Sequence, residues 1–169
     1  RYHINSVIPI KYTDNFFEKD DLVISIRNLS TIIVFRPKED KIVWSQTGPW
    51  INQHDARYLG EGKFSIFSNN IIRGLPQSYE FLIDHSDIYF LNLKNNTIER
   101  PFKNIFKKSK QRSGGIFRPI DDDKGIVELH SDAKIMKISK KYGVMWEHQN
   151  YLGNNKKGNI NWSRYIIKD

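Results

Sequence analysis

The chain alternates short apolar runs with polar turns at a spacing that suits strands rather than helices. Residues 22–26 (Leu-Val-Ile-Ser-Ile) and 31–35 (Thr-Ile-Ile-Val-Phe) are rich in β-branched and aromatic side chains. Such residues suit a pleated, half-buried surface. Residues 4–10 form an earlier run, and residues 41–45 (Lys-Ile-Val-Trp-Ser) a later one. Arg36-Pro37-Lys38-Glu39-Asp40 has turn chemistry, and Gly48-Pro49 closes the set. Four short strands in chain order, joined by short turns, predict one antiparallel four-stranded blade.

The pattern then restarts. Residues 56–59 lead through Gly60-Glu61-Gly62 into residues 63–68 (Lys-Phe-Ser-Ile-Phe-Ser), which alternate with period two. Residues 78–83 and 88–93 flank Asp84-His85-Ser86-Asp87, which reads as a hairpin tip, and Asn95-Asn96 turns the chain into 97–101. A third set comprises 115–120, 125–129, 134–139 and 144–147, with Asp121-Asp122-Asp123 as a polar turn. Residues 160–167 (Ile-Asn-Trp-Ser-Arg-Tyr-Ile-Ile) have the pattern of a further first strand. Between the second and third sets, Phe102, Ile105 and Phe106 share one helical face opposite lysines, predicting a short helix within 101–110. The expected fold is all-β: a partial β-propeller of about three four-stranded antiparallel blades with one short helical insertion. The blades fall at about 3–50, 51–102 and 113–150, with a further blade starting at 159–169. The expectation for 1–169 is one domain, a fragment of a propeller. Trp44 and Trp146 occupy the same place in their fourth strands and are expected in the core.

Composition narrows the function. The 27 basic and 19 acidic side chains give a formal charge of +8, but much of the excess lies in Lys103, Lys107, Lys108, Lys110 and Arg112. Phe102 and Phe106 nearby read as packing anchors rather than as a base-stacking platform, so the run reads as a solvated loop and no nucleic-acid partner is expected. Cysteine is absent, which removes disulfides, thiolate nucleophiles and cysteine metal sites. No His or carboxylate spacing matches a standard metal site, and no cofactor is expected. No apolar stretch approaches the length of a membrane span. Sequons at Asn28, Asn95 and Asn161 read as coincidence in an Asn-rich chain.

Polar words open the strand sets. They are His3-Ile4-Asn5-Ser6 and Gln53-His54-Asp55-Ala56-Arg57, and more weakly Ser113-Gly114-Gly115 and Asn161-Trp162-Ser163-Arg164. They recur at intervals of about 50 residues, close to a blade repeat. Equivalent points of successive blades converge on a propeller axis, so these side chains are expected to line it.

Together with Ser25-Ile26-Arg27-Asn28-Leu29-Ser30, Lys41-Ile42-Val43-Trp44 followed by Gly48-Pro49, and Val144-Met145-Trp146-Glu147-His148, these words resemble the arylsulfotransferase family. Residues 71–124 are poorly matched. The resemblance implies sulfuryl transfer from a phenolic sulfate to a phenol without a nucleotide donor. It implies a histidine that carries the sulfuryl group, supported by other histidines and an arginine. It also implies a six-bladed propeller, of which this chain would supply about half. The expected partners are aryl sulfates, phenols and the missing N-terminal blades. The expected location is periplasmic or extracellular.

The chemistry suits the residues. Neutral imidazole is a competent nucleophile near pH 7, and arginine offers a fork of donors to the sulfate oxygens. His54 is the candidate centre, with His3 beside it and Arg27 as the sulfuryl clamp. Asn5, which shares a face with His3, Asn28, Arg57 and Arg164 are candidate substrate contacts. Asp55, adjacent in an extended chain, points away from His54. His85, His130 and His148 read as surface residues. Where many relatives read Ser-Arg-His, this chain reads Ile26-Arg27-Asn28, and asparagine can hydrogen-bond but serves as neither nucleophile nor proton carrier. A second reading therefore stays open, a non-catalytic propeller that binds a small anionic ligand or a protein. In that reading His54 is only a satisfied polar group. A third, an anion-binding module on 103–112, also stays open.

Overall fold

The computed structural model describes residues 2–73, 79–81, 85–154, 156–160 and 163. These residues form an all-β partial propeller of three four-stranded antiparallel blades. The first blade runs β1 (Ile4–Pro9), β2 (Leu22–Ile26), β3 (Thr31–Arg36) and β4 (Lys41–Thr47), each strand hydrogen-bonded to the next. The second is built from β5 (Gln53–Gly60), β6 (Lys63–Ser68), β9 (Asp87–Asn92) and β10 (Thr97–Glu99). Between β6 and β9 the chain makes a separate two-stranded ribbon, β7 (Ile71–Arg73) and β8 (Tyr79–Phe81). After β10 comes the one-turn helix α1 (Lys103–Phe106). The third blade is β11 (Ile116–Pro119), β12 (Lys124–Leu129), β13 (Lys134–Ser139) and β14 (Gly143–Gln149). The start of a further blade expected at 159–169 lies largely outside the described residues.

The middle blade shows why these residues form strands. In β6, Phe64 and Ile66 face the first blade, where they join Val23, Ile32, Val34 and Ala56. Phe67 faces the other way, into a core with Phe117, Val127, Leu129, Met136 and Ile138 of the third blade. In β9, Tyr89 and Leu91 enter the first core, while Ile88 enters the second. Period-two alternation thus feeds two cores from one sheet. Phe102 and Phe106, either side of α1's ends, are fully buried in the second core, as the helical stripe predicts.

Two expectations are corrected. Within the expected hairpin of 78–83 with 88–93, the described strands β8 and β9 do not pair with each other. β8 pairs with β7, from Ile71↔Phe81 to Arg73↔Tyr79, while β9 pairs with β6. β9 is apolar on both faces, so it gains most at the sheet centre between two blades; the local turn at 84–87 does not decide its partner. The two tryptophans also differ. Trp44 stacks on Phe64 of the second blade, with ring centroids 4.9 Å apart and planes 15° from parallel. Trp146 is 53% exposed and stacks instead on His148. Trp44 thus faces the second blade. Among the described residues no sheet covers the Trp146 face of the third blade.

Candidate functional site

The site begins at the inner strands. β5 packs against β1 and β2, and β11 against β5 and β6. The pairing of β1 with β2 shifts register between Ile4 and Ser6, and that of β5 with β6 between Gln53 and Asp55. Asn5 and His54 are therefore the extra residues of equivalent bulges, features that re-aim a side chain next to a site.

Both reach across to the next blade. Asn5 Nδ2 donates to the Gln53 carbonyl at 2.8 Å. His54 Nδ1 lies 3.1 Å from the Gly115 carbonyl. A carbonyl only accepts, so in neutral His54 the hydrogen sits on Nδ1 and the lone pair on Nε2. Nε2 has no hydrogen-bond partner among the described residues. His130 repeats the tie, with Nδ1 3.2 Å from the Ile160 carbonyl.

The glycines at 114–115 make the close approach possible. Gly115 has φ +98°, and a Cβ there would lie 2.0 Å from the Phe67 ring. Only glycine fits a conformation and a gap of this kind. Its neighbour Gly114 accepts from Asn69 Nδ2 at 2.9 Å. The Ser113-Gly114-Gly115 word therefore lets the chain pass close enough to present its carbonyls.

His54, His3, Arg27 and Asn28 line one cavity of about 520 Å³, with Asn52, Ile72, Arg112 and Ser113. The His3 carbonyl accepts from the Arg27 amide at 3.0 Å, which sets those two residues side by side. A smaller cavity of about 240 Å³ adjoins through His54, Ser113 and the glycines, and holds His130 and Glu128. Burial pushes the His54 pKa below the usual histidine value; Arg27, His3 and His130 push it further the same way, against the pull of the Gly115 carbonyl. The arrangement holds an imidazole that favours its neutral form beside the guanidinium groups of Arg27 and Arg112.

Arg112 arrives by an anchored strap. Gln111 is fully buried; its Nε2 donates to Asp132 at 2.7 Å, its Oε1 accepts from the Ser131 amide at 2.7 Å, and its own amide donates to Ser86 at 2.8 Å. Arg27 Nη2 reaches the Arg112 carbonyl at 3.5 Å, at the limit of a hydrogen bond.

The remaining expected residues lie apart. Asn5 is spent on the blade tie. Arg57 pairs with Asp55 at 2.8 Å and lines a cavity of about 540 Å³ at the other ends of the inner strands, with Tyr58 and Arg118. That cavity is slightly larger, but no histidine lines it. Asp55 is not turned away from His54 as strict alternation predicts: the bulge at His54 sends both side chains to the third blade, where Asp55, 5% exposed, accepts from the Phe117 amide at 3.3 Å. Burial pushes its carboxyl above the usual range, against Arg57. Arg164 lies outside the described residues. His130, expected at the surface, is half-buried beside the site. Arg112 was read as part of a solvated run, and Lys103, Lys107, Lys108 and Lys110 are indeed exposed, but Ser109 and Gln111 between them are buried. His148 is exposed, and His85 is half-buried near Asp87. Among the described residues no group of three His, Asp or Glu stands close enough to hold a metal ion, and no helix is long and apolar enough to cross a membrane.

Three blades, with His3, Arg27, Asn28 and His54 on one cavity, define a partial β-propeller with a polar candidate site. Residues 1–151 match the arylsulfotransferase (ASST) family, and the chain belongs to it. A solved structure, that of Kluyvelomyces marxianus Hsv2, is similar at 9% identity with a TM-score of 0.35, covering 82% of this chain and 48% of that one. This chain thus spans about half the length of that structure. A search of the curated proteins returns no match.

Proposed function

We propose that the protein transfers a sulfuryl group from an aryl sulfate to a phenol through Nε2 of His54. The observation that carries this reading is the His54 tie. With Nδ1 donating to Gly115, the ring is oriented and the lone pair is left on Nε2, beside the Arg27 cavity. In the first step Nε2 attacks sulfur, the bond from sulfur to the aryl oxygen breaks, and a phenolate leaves and takes up a proton. In the second step the acceptor phenol loses its proton, its oxygen attacks sulfur, and the bond between nitrogen and sulfur breaks. Protons and charge balance over the cycle. His3, in the same cavity, and His130, beside it, are the groups suited to carry the proton. Arg27 and Arg112 hold the sulfate oxygens.

The proposal extends to the whole assembly. Residues 1–169 form one domain, and further blades complete the ring. The exposed apolar side chains Ile4 (57%) and Val7 (51%) on β1, and Trp146 on β14, support this, because they are the faces that flanking blades would cover. An exported, periplasmic or extracellular location belongs to the same reading.

The test is 4-nitrophenyl sulfate with a phenol acceptor. Release of nitrophenol that is lost in His54→Ala, with the fold retained, supports the mechanism. Unchanged release in that variant overturns it. Asn28 favours the second reading, a binding site without chemistry; its mark is binding of the aryl sulfate with no phenol released.

A further inference from the structure

We infer that Ile72, on the inserted β7–β8 ribbon, is the wall against which the donor's aryl ring packs, so that the insertion rather than the blades selects the aryl group. The inference rests on the sulfuryl-transfer reading of the same cavity.

The cavity's other side chains explain the need. His3, Arg27, Asn28, His54 and Arg112 are polar or charged. They suit a sulfate, and although an imidazole or guanidinium plane can stack on a ring, none of them is an apolar side chain against which a ring buries its edge. Ligand sites usually place a few polar groups within a mainly apolar lining. Ile72 is the large apolar side chain among the described lining residues.

The ribbon's root directs it there. Ile71 is fully buried, and its carbonyl accepts from the Asn52 side chain. The next amide back, at Asn70, donates to the Ile51 carbonyl at 2.9 Å, and Asn70 Nδ2 donates to the His85 carbonyl at 3.0 Å. With Ile71 turned inward, strand alternation sends Ile72 outward. It stands 41% exposed at the cavity, so it has surface left for a ligand. The blade does not need the ribbon, because β6 and β9 pair directly beneath it along all six of their register positions. The volume of about 520 Å³ is within the range of small-molecule pockets.

The experiment compares 2-naphthyl sulfate with methyl sulfate by calorimetric titration of the wild type and Ile72→Ala. Both carry the same charged group, but only one carries an aryl ring. The expected result is about tenfold weaker binding of naphthyl sulfate in the variant, the size of a few buried methylenes, with methyl sulfate changed less than twofold. Equal changes for both ligands, or unchanged naphthyl sulfate, overturn the assignment of Ile72. Failure of naphthyl sulfate to bind the wild type overturns both readings. Selective loss in Ile72→Ala without any phenol release by the wild type keeps Ile72 and removes the transfer chemistry. A melting curve for Ile72→Ala within 1 °C of the wild type is expected for an exposed side chain, and binding is read on that folded protein.

Discussion

Gly115 is where fold and chemistry meet, and Gly115→Ala tests both. Its φ of +98° costs a residue with a Cβ about 1–2 kcal/mol. The new methyl would start 2.0 Å from the Phe67 ring. That ring is fully buried and meets Phe106 edge-on with centroids 6.3 Å apart, so it has no free direction in which to yield. Overpacking of this kind costs about 1–3 kcal/mol. The sum is about 2–5 kcal/mol, a large part of the roughly 5–15 kcal/mol that holds a typical domain folded. Urea unfolding followed by circular dichroism reads it, with the slope checked for two-state behaviour. The pair Gly115→Ala and Phe67→Ala supplies the control. Phe67→Ala alone costs about 3–5 kcal/mol, but it opens room for the methyl. The double variant should therefore be less destabilised than the two singles added, by about 1–3 kcal/mol. A Gly115→Ala loss under about 0.5 kcal/mol, or strict additivity with Phe67→Ala, would refute the close approach. The same change shifts the carbonyl that orients His54, so phenol release should fall more than the loss of folded protein explains.

Other outcomes follow from the same geometry. Because burial and neighbouring cations lower the His54 pKa, its neutral form persists through pH 7. The pH profile of kcat/KM for phenol release should stay flat there and fall only below the ordinary histidine value of about 6.5. A fall centred above pH 7 would contradict it. Since the folded pKa lies below the unfolded one, protonation disfavours the fold, and His54→Gln should lessen the stability lost as pH drops below about 6.5. Arg57→Ala leaves Asp55 buried without its cation and should cost about 3 kcal/mol at pH 8. The Asp55 pKa is already raised by burial, so that loss should shrink as pH falls and the carboxyl takes a proton; a loss that grows toward low pH would be wrong for this pair. Trp44→Ala should cost about 3 kcal/mol in denaturant titrations, because the ring stacks on Phe64 between blades. Trp146→Ala should cost less than about 1 kcal/mol.

Local pattern carried most of the architecture. β2, β3 and β6 are short, β-branched or aromatic, and bounded by turn residues, so their type and approximate limits could be read directly. The stripe of Phe102, Ile105 and Phe106 marked α1 for the same reason. The partner of β9 could not be read this way, because strand pairing depends on which sheet can use both of its apolar faces. Nor could Trp44 and Trp146 be told apart, since both close an apolar fourth strand and only packing shows that Trp44 stacks on Phe64 of the second blade while Trp146 is exposed among the described residues.

The candidate site divides along the same line. His3 and His54 stood out as polar residues opening successive strand sets, Arg27 and Asn28 through the family resemblance, and the structure brings these four to one cavity. Arg57 stood out equally and is elsewhere, because alternation along β5 and its pairing with Asp55 carry it to the far end of the strand. Arg112 and Ile72 were invisible as site residues because they come from a strap and an inserted ribbon outside the blade repeat, whereas His130 follows β12 as Arg27 follows β2 and was readable from that equivalence. Sequence by itself determined the strand repeat and its polar words, since both are encoded at a spacing of neighbouring residues. Tertiary structure alone decided the tautomer of His54 and the walls of its cavity, because these depend on a carbonyl 61 residues away and on chain segments placed by the packing of separate blades.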